Sequence, residues 1–134
     1  MIVVDTNVVA YALIEGTHTE LARRVREIDP DWRLPELWRH EYLNILATYA
    51  KQGGVTVKTA QRLWREALGL LAPATRPADM PLALELAVEH GVSAYDAQFM
   101  ALAISLGVPC VTEDRLLLKA FPRVAVSMRA FCDV

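Results

Sequence analysis

Ser93 to Lys119 reads SAYDAQFMALAISLGVPCVTEDRLLLK. Ser93 stands ahead of an apolar run and Asp96 follows three residues later, the capping-box spacing that starts a helix. Ala94 to Leu106 is apolar almost all round, interrupted by Asp96, Gln98 and Ser105, which predicts a buried helix closed by Gly107. Val108-Pro109-Cys110-Val111-Thr112 reads as a strand, and Arg115 to Lys119 as a short helix. Two carboxylates, Glu113 and Asp114, stand at the strand's end. The same grammar opens the chain, where Ile2-Val3-Val4 is a short apolar strand, Asp5 follows directly, and a helical stretch runs to Leu13.

Between these units, Thr17-His18-Thr19-Glu20 has capping-box spacing and opens a helix to about Ile28. Trp32-Arg33-Leu34 reads as a short strand. Helices are expected over Glu36 to Lys51, Val57 to Leu70 and Met80 to His90, with a strand at Leu71 to Ala74 and a last one at Val124 to Val126. Strands alternating with helices predict an α/β fold, a parallel sheet with helices on both faces. In such sheets ligands bind beyond the carboxyl ends of the strands, which points to Asp5 and to the residues after Thr112.

The chain has 134 residues, 54% of them hydrophobic. That is enough for one closed core, so residues 1–134 are read as a single domain. No apolar run reaches the roughly 18 to 20 residues of a membrane span. The first residues lack a basic segment and carry Asp5 within the apolar run, which argues against a secretory signal. Cys110 and Cys132 are too few and too far apart for a disulfide framework, and a cytoplasmic location is expected. Fourteen Lys and Arg against sixteen Asp and Glu give a net charge of -2, which taken alone argues against coating nucleic acid by charge.

Each acid has a bland explanation when taken singly. Asp5, Asp96 and Asp114 all stand where a helix start needs a capping side chain. Glu41 lies in the Glu36 to Lys51 helix, on a polar seam with Asn44 and Thr48. Beside that seam Trp38, Tyr42, Ile45 and Tyr49 form an apolar stripe, expected to face the core or a subunit interface. Jointly the acids are harder to dismiss, because the strand-end and helix-start positions converge on one crevice. Four carboxylates in one place repel unless cations compensate them. Hard divalent ions with oxygen ligands, Mg²⁺ or Mn²⁺, are the natural compensation, and a carboxylate-held pair suits phosphodiester hydrolysis.

Val3-Val4-Asp5-Thr6-Asn7, Glu41-Tyr42-Leu43-Asn44-Ile45-Leu46, Tyr95-Asp96-Ala97 and Val111-Thr112-Glu113-Asp114 resemble, in family order, the motifs of the PIN-domain ribonucleases. Length and short connections resemble the VapC-like toxins of toxin–antitoxin pairs, and the resemblance covers essentially the whole chain. It implies a three-layer α/β/α fold with a short, mainly parallel central sheet. It implies Asp5, Glu41, Asp96 and Asp114 as ligands of one or two Mg²⁺ or Mn²⁺ ions, with Asp114 chosen over Glu113. Thr112 is the matching hydroxyl that orients the site, and Thr6 and Asn7 match the polar residues after the first Asp. The implied reaction is RNA hydrolysis by a metal-activated water, leaving 5′-phosphate and 3′-hydroxyl ends. The implied partners are an RNA substrate, a cognate antitoxin and a second copy of the chain, with no membrane.

Other readings fail on residues. A haloacid-dehalogenase-type phosphatase needs a second Asp where Asn7 stands. His40-Glu41-Tyr42-Leu43-Asn44 lacks the second His of a zinc protease. No phosphate-cradling glycine loop is present. The remaining alternative is a PIN-like RNA-binding or regulatory module without turnover, against which an intact acidic quartet argues. Positive charge for RNA lies in Arg23, Arg24 and Arg26, in Lys58, Arg62 and Arg65, and in Arg115 and Lys119. Arg115 is the preferred phosphate contact, being next to Asp114. With four acids set aside as ion ligands, the remaining twelve face fourteen bases, so the acidic total no longer argues against RNA.

Overall fold

The computed structural model describes residues 1–133. The chain runs β1 (Ile2–Val4), α1 (Thr6–Leu13), α2 (Thr19–Ile28), β2 (Trp32–Arg33), α3 (Trp38–Lys51) and α4 (Val57–Leu71). It continues through a 3₁₀ turn at Ala72–Ala74, α5 (Met80–His90), α6 (Ala94–Leu106), β3 (Cys110–Val111), α7 (Arg115–Ala120), β4 (Ala125–Val126) and α8 (Met128–Phe131). The sheet has the order β2-β1-β3-β4 and every pair is parallel. No helix among the described residues is long and apolar enough to cross a membrane.

The strand order decides where a ligand can sit. From β1 the chain goes first to β2 on one side, and only later to β3 on the other. The switch point of the sheet therefore lies between β1 and β3, whose register pairs Val3 with Cys110 and Val4 with Val111. Backbone pairing continues one step past the strands, with Asp5 N–H donating to the Val111 carbonyl at 3.1 Å and Thr112 N–H to that of Val126 at 3.0 Å. Asp5 and Thr112 are thus locked side by side at the carboxyl end of the sheet.

The strands are buried on both faces, with Val3, Val4, Cys110 and Val111 wholly inaccessible. Burial, with the charge of Asp5 adding to it, pushes the Cys110 thiol well up, so it behaves as a small apolar side chain. In α6 the middle of the helix, from Phe99 to Ala103, is core, and the small residues Ala97, Ala101 and Ala103 are inaccessible. The expectation of burial all round holds only for that middle, since Tyr95, Ile104 and Leu106 face outward near the two ends. Trp38 and Tyr42 are core, as the stripe on α3 predicts, while Tyr49 at its far end is exposed.

Three local expectations are corrected. Leu71 to Ala74 is not a strand, because α4 runs through Leu71 and the 3₁₀ turn follows; only a single bridge, Leu34 with Thr75, touches the sheet edge. Pro73 has no N–H for a ladder and suits the turn instead. The Thr17 capping box does not form. His18 is the N-cap of α2, without a side-chain cap bond, and the Thr19 hydroxyl turns back to accept from Gly16 N–H and donate to the Ile14 carbonyl. The strand expected over Val108 to Thr112 is shorter, because Val108 N–H closes α6 on the Ala103 carbonyl while Gly107 takes a left-handed φ of 66°.

Candidate active site

At the carboxyl ends of β1 and β3, a pocket of about 220 Å³ is lined by Asp5, Thr6, Asn7, Glu41, Asn44, Ile45, Asp96, Phe99, Asp114 and Leu117. All four acids singled out in the sequence therefore line one opening, although they come from four separate segments. β1 delivers Asp5, the first turns of α3 and α6 deliver Glu41 and Asp96, and the turn after β3 delivers Asp114. Arg115, exposed on α7, does not line it.

The bland and functional readings of the acids coexist. Asp5 is the N-cap of α1, its Oδ1 accepting from Val8 N–H at 3.0 Å. Its Oδ2 accepts from the Thr112 hydroxyl, and that same oxygen of Thr112 accepts from Asp114 N–H at 3.1 Å. Asp114 in turn caps α7 through Leu117 N–H. Glu41 Oε1 accepts from the Thr6 hydroxyl at 2.7 Å. Asp96 does not cap α6 itself; Ser93 does, accepting from Asp96 N–H at 3.0 Å. The bonds to the carboxylates of Asp5, Glu41 and Asp114 set the direction of those three groups.

Glu113 and Asp114 divide cleanly. Glu113 turns away and its Oε2 accepts from Met128 N–H at 2.8 Å, capping α8. Asp114 lines the pocket. Adjacent residues at a strand end point to opposite sides, so only one of the two could do so.

Electrostatics sharpen the picture. Asp5 is buried, and burial, with the charges of Glu41 and Asp114 adding to it, lifts its carboxyl from 3.8 to about 6 against the opposing bonds from Thr112 and Val8. Burial also raises Glu41, with Asp96 adding to the shift, and raises Asp96, with Asp114 adding. The repulsions thus close a ring, from Asp5 to Glu41 to Asp96 to Asp114 and back to Asp5. No Lys, Arg or His is among the residues that line the pocket, and none of the ion pairs among the described residues involves any of the four acids. As the side chains stand, no three His, Cys, Asp or Glu among the described residues form a ready-made ion cage. The chemistry of the donor set nonetheless fits a hard divalent cation: four carboxylates around one opening, all oxygen donors, with no Lys, Arg or His in its lining.

Most of the basic clusters are exposed helix faces, but Arg26 is half-buried, with its guanidinium 5.8 Å from the centre of the Trp32 ring. Arg23 pairs with Glu15 at 3.1 Å and Arg62 with Glu66 at 2.9 Å, both exposed.

Four wall residues of the pocket were not singled out as site residues from the sequence: Asn44, Ile45, Phe99 and Leu117. The signal for them is helical spacing, because each lies three or four residues after an acid on the same helix or at its cap. Asn44 and Ile45 follow Glu41, Phe99 follows Asp96, and Leu117 follows Asp114.

Thr112 is wholly buried, and valine there would strand one oxygen of Asp5 and the amide of Asp114. Thr112→Val is expected to lower stability by about 1–3 kcal/mol in a urea titration, with Thr112→Ser close to wild type. Equal stability of Thr112→Val and wild type would show that the bond to Asp5 contributes nothing.

A parallel sheet with an acidic pocket at its switch point defines the class of domain, and the comparisons agree. Residues 2–125 match the model of the PIN domain, and the chain belongs to that family. It is 31% identical over 127 residues to Ribonuclease VapC3 of Pyrobaculum aerophilum, a match covering 90% of this chain and 95% of that protein. The fold superposes on the crystal structure of PAE2754 from Pyrobaculum aerophilum with a TM-score of 0.78 at 22% identity, covering 98% of this chain and 93% of the other. It superposes on FitAcB from Neisseria gonorrhoeae with a TM-score of 0.69 at 20% identity, covering 96% and 98%. These two likenesses show the fold.

Proposed function

We propose that residues 1–134 act as one domain, a divalent-cation-dependent ribonuclease that serves as the toxin of a toxin–antitoxin pair in the cytoplasm. The observation that carries the reading is the convergence of Asp5, Glu41, Asp96 and Asp114 on one pocket whose lining holds no Lys, Arg or His. The name of the relative from Pyrobaculum aerophilum supports ribonuclease over other phosphodiesterases.

Asp5, Glu41, Asp96 and Asp114 would hold one or two Mg²⁺ or Mn²⁺ ions. When bound, such ions supply a more acidic water and neutralise charge on the phosphoryl oxygens, which suits an in-line displacement at phosphorus. The chain's own groups aim the acids. Thr112 holds Asp5, Thr6 holds Glu41, and the cap bond from Leu117 N–H holds Asp114. No side chain serves as a covalent nucleophile. Asn7, exposed at the pocket's lip, presents an amide to the RNA backbone. The partners are an antitoxin that covers the acidic pocket and a second copy of the chain.

Purified protein incubated with structured RNA is expected to cut it in Mg²⁺ or Mn²⁺, leaving 5′-phosphates, and to leave it intact in EDTA. Undiminished cleavage in EDTA would overturn the cation-dependent reading, and RNA left intact under both conditions would overturn the enzyme. Arg115, exposed one residue beyond Asp114, is proposed as a phosphate contact. Arg115→Ala is expected to weaken RNA binding several-fold and to leave Mn²⁺ binding unchanged by calorimetry; lost Mn²⁺ binding would count against that role.

A further inference from the structure

We infer that a second site, for a phosphate oxyanion, lies at the β2 edge of the sheet and is held by Arg26, Arg33 and Trp32. It shares no residue with the acidic pocket and does not rest on the ribonuclease reading.

A hollow of about 160 Å³ opens between the end of α2, β2 and the end of α4, with Arg26, Trp32, Arg33, Leu71 and Pro73 among its walls. β2 is the outermost strand, and Trp32 pairs with Ile2 at the amino end of β1. The hollow therefore lies away from the carboxyl ends that carry the acids. Small-molecule sites start at roughly 300 Å³, so this volume suits a single ion and excludes a nucleotide. Pro30 and Pro73 each fix a backbone φ in the rim, which stiffens it.

Charge and hydrogen bonding identify the occupant. Arg26 stacks over Trp32, and none of the ion pairs or arginine hydrogen bonds among the described residues is its own. The acids nearest in sequence are placed elsewhere: Glu27 borders a different hollow, Asp29 holds the amino terminus at 2.7 Å, and Asp31 holds Arg33. Arg33 uses one nitrogen for Asp31 and for the Trp32 carbonyl, and its other nitrogens make none of these bonds. Trp32 is 4% exposed, and its indole N–H is buried without an acceptor. A buried donor in that state calls for an acceptor from outside the chain, a water or an ion. Guanidinium and indole groups only donate, so the occupant must accept, and no Asp or Glu lines the hollow to repel an anion. A carboxylate has two oxygens, and Arg33 already has one such partner in Asp31; phosphate has four, enough to serve several donors at once.

The test follows the indole N–H signals of isotope-labelled protein by NMR, in EDTA, with ionic strength held constant by chloride. Inorganic phosphate is expected to move the Trp32 signal saturably and to leave that of Trp38, already bonded to Thr75 at 2.9 Å, in place. Arg26→Gln should weaken phosphate binding at least about tenfold, the worth of one hydrogen bond to a charged group. Arg33→Gln should weaken it as well, with the fold of each variant checked by circular dichroism. A single-stranded oligoribonucleotide forms the second arm. Movement at lower concentrations of RNA than of free phosphate assigns the site to the RNA backbone, and movement with phosphate alone assigns it to the free ion. A Trp32 signal that neither ligand moves, or that phosphate moves equally in folded Arg26→Gln, overturns the site. Cleavage of RNA by the wild type is measured apart from all of these, so the ribonuclease reading stands or falls separately.

Discussion

Asp5→Asn is expected to reduce divalent-cation-dependent RNA cleavage at least about a hundredfold, because partners one shell further from a metal already cost about 10–100-fold when removed. Asparagine keeps the shape of the side chain and leaves an oxygen for Val8 N–H, so the α1 cap survives. What it removes is the charge of the most buried of the four acids, a carboxylate that Thr112 has already oriented. The loss should therefore appear as weaker Mn²⁺ binding as well as slower cleavage, with the fold intact by circular dichroism. Asp79→Asn is the matched control: Asp79 is an exposed N-cap on α5, and asparagine caps there equally well. Release of labelled fragments in excess Mn²⁺ measures both. Cleavage by Asp5→Asn at the wild-type rate would remove Asp5 from the ion site.

The parts of this site that were legible in the sequence are those set by local rules. Val4 ends an apolar strand and Thr6 opens a helix, so Asp5 between them is placed by its two neighbours. Gly107 stops α6, which forces β3 to begin soon after and puts Asp114 at its end. The rest depends on contacts between distant residues. The Thr112 hydroxyl finds Asp5 only because β3 pairs with β1, and Thr6 meets Glu41 only because α3 packs beside α1. The choice between Glu113 and Asp114 came from family resemblance; its physical cause is the amide of Met128, which Glu113 caps on a helix that no local pattern connects to it. The failed Thr17 cap has the opposite character. Two threonines competed for one helix start, and Thr19 was taken by the Ile14 carbonyl and the Gly16 amide of the preceding loop. Local spacing proposes candidates, and tertiary bonds select among them.

Without divalent ions, the same Asp5→Asn change is expected to stabilise the protein near neutral pH. The folded state holds the proton of Asp5 at about 6 against the ordinary 3.8, chiefly because the carboxylate is buried among other acids. A raised folded-state value means that this group's stabilising contribution is complete below 3.8 and is lost as pH rises through about 6. A shift of roughly two units corresponds to about 3 kcal/mol. Glu41 and Asp96 are raised as well and act in the same direction. In EDTA, Asp5→Asn should therefore exceed wild type by up to about 3 kcal/mol at neutral pH, with the gap narrowing through pH 6 and closing near pH 4. Mn²⁺ at a thousand times its dissociation constant should reverse the order, since it then adds about 4.1 kcal/mol to the form that binds it. Urea titrations across that range, with and without the ion, read both effects. A gap in EDTA that favours wild type, or that ignores pH, would mean that Asp5 is not the strained acid of this pocket. A pocket whose empty form is held back by its own charges, and whose ion relieves them, has the same four carboxylates as the source of both its instability and its chemistry.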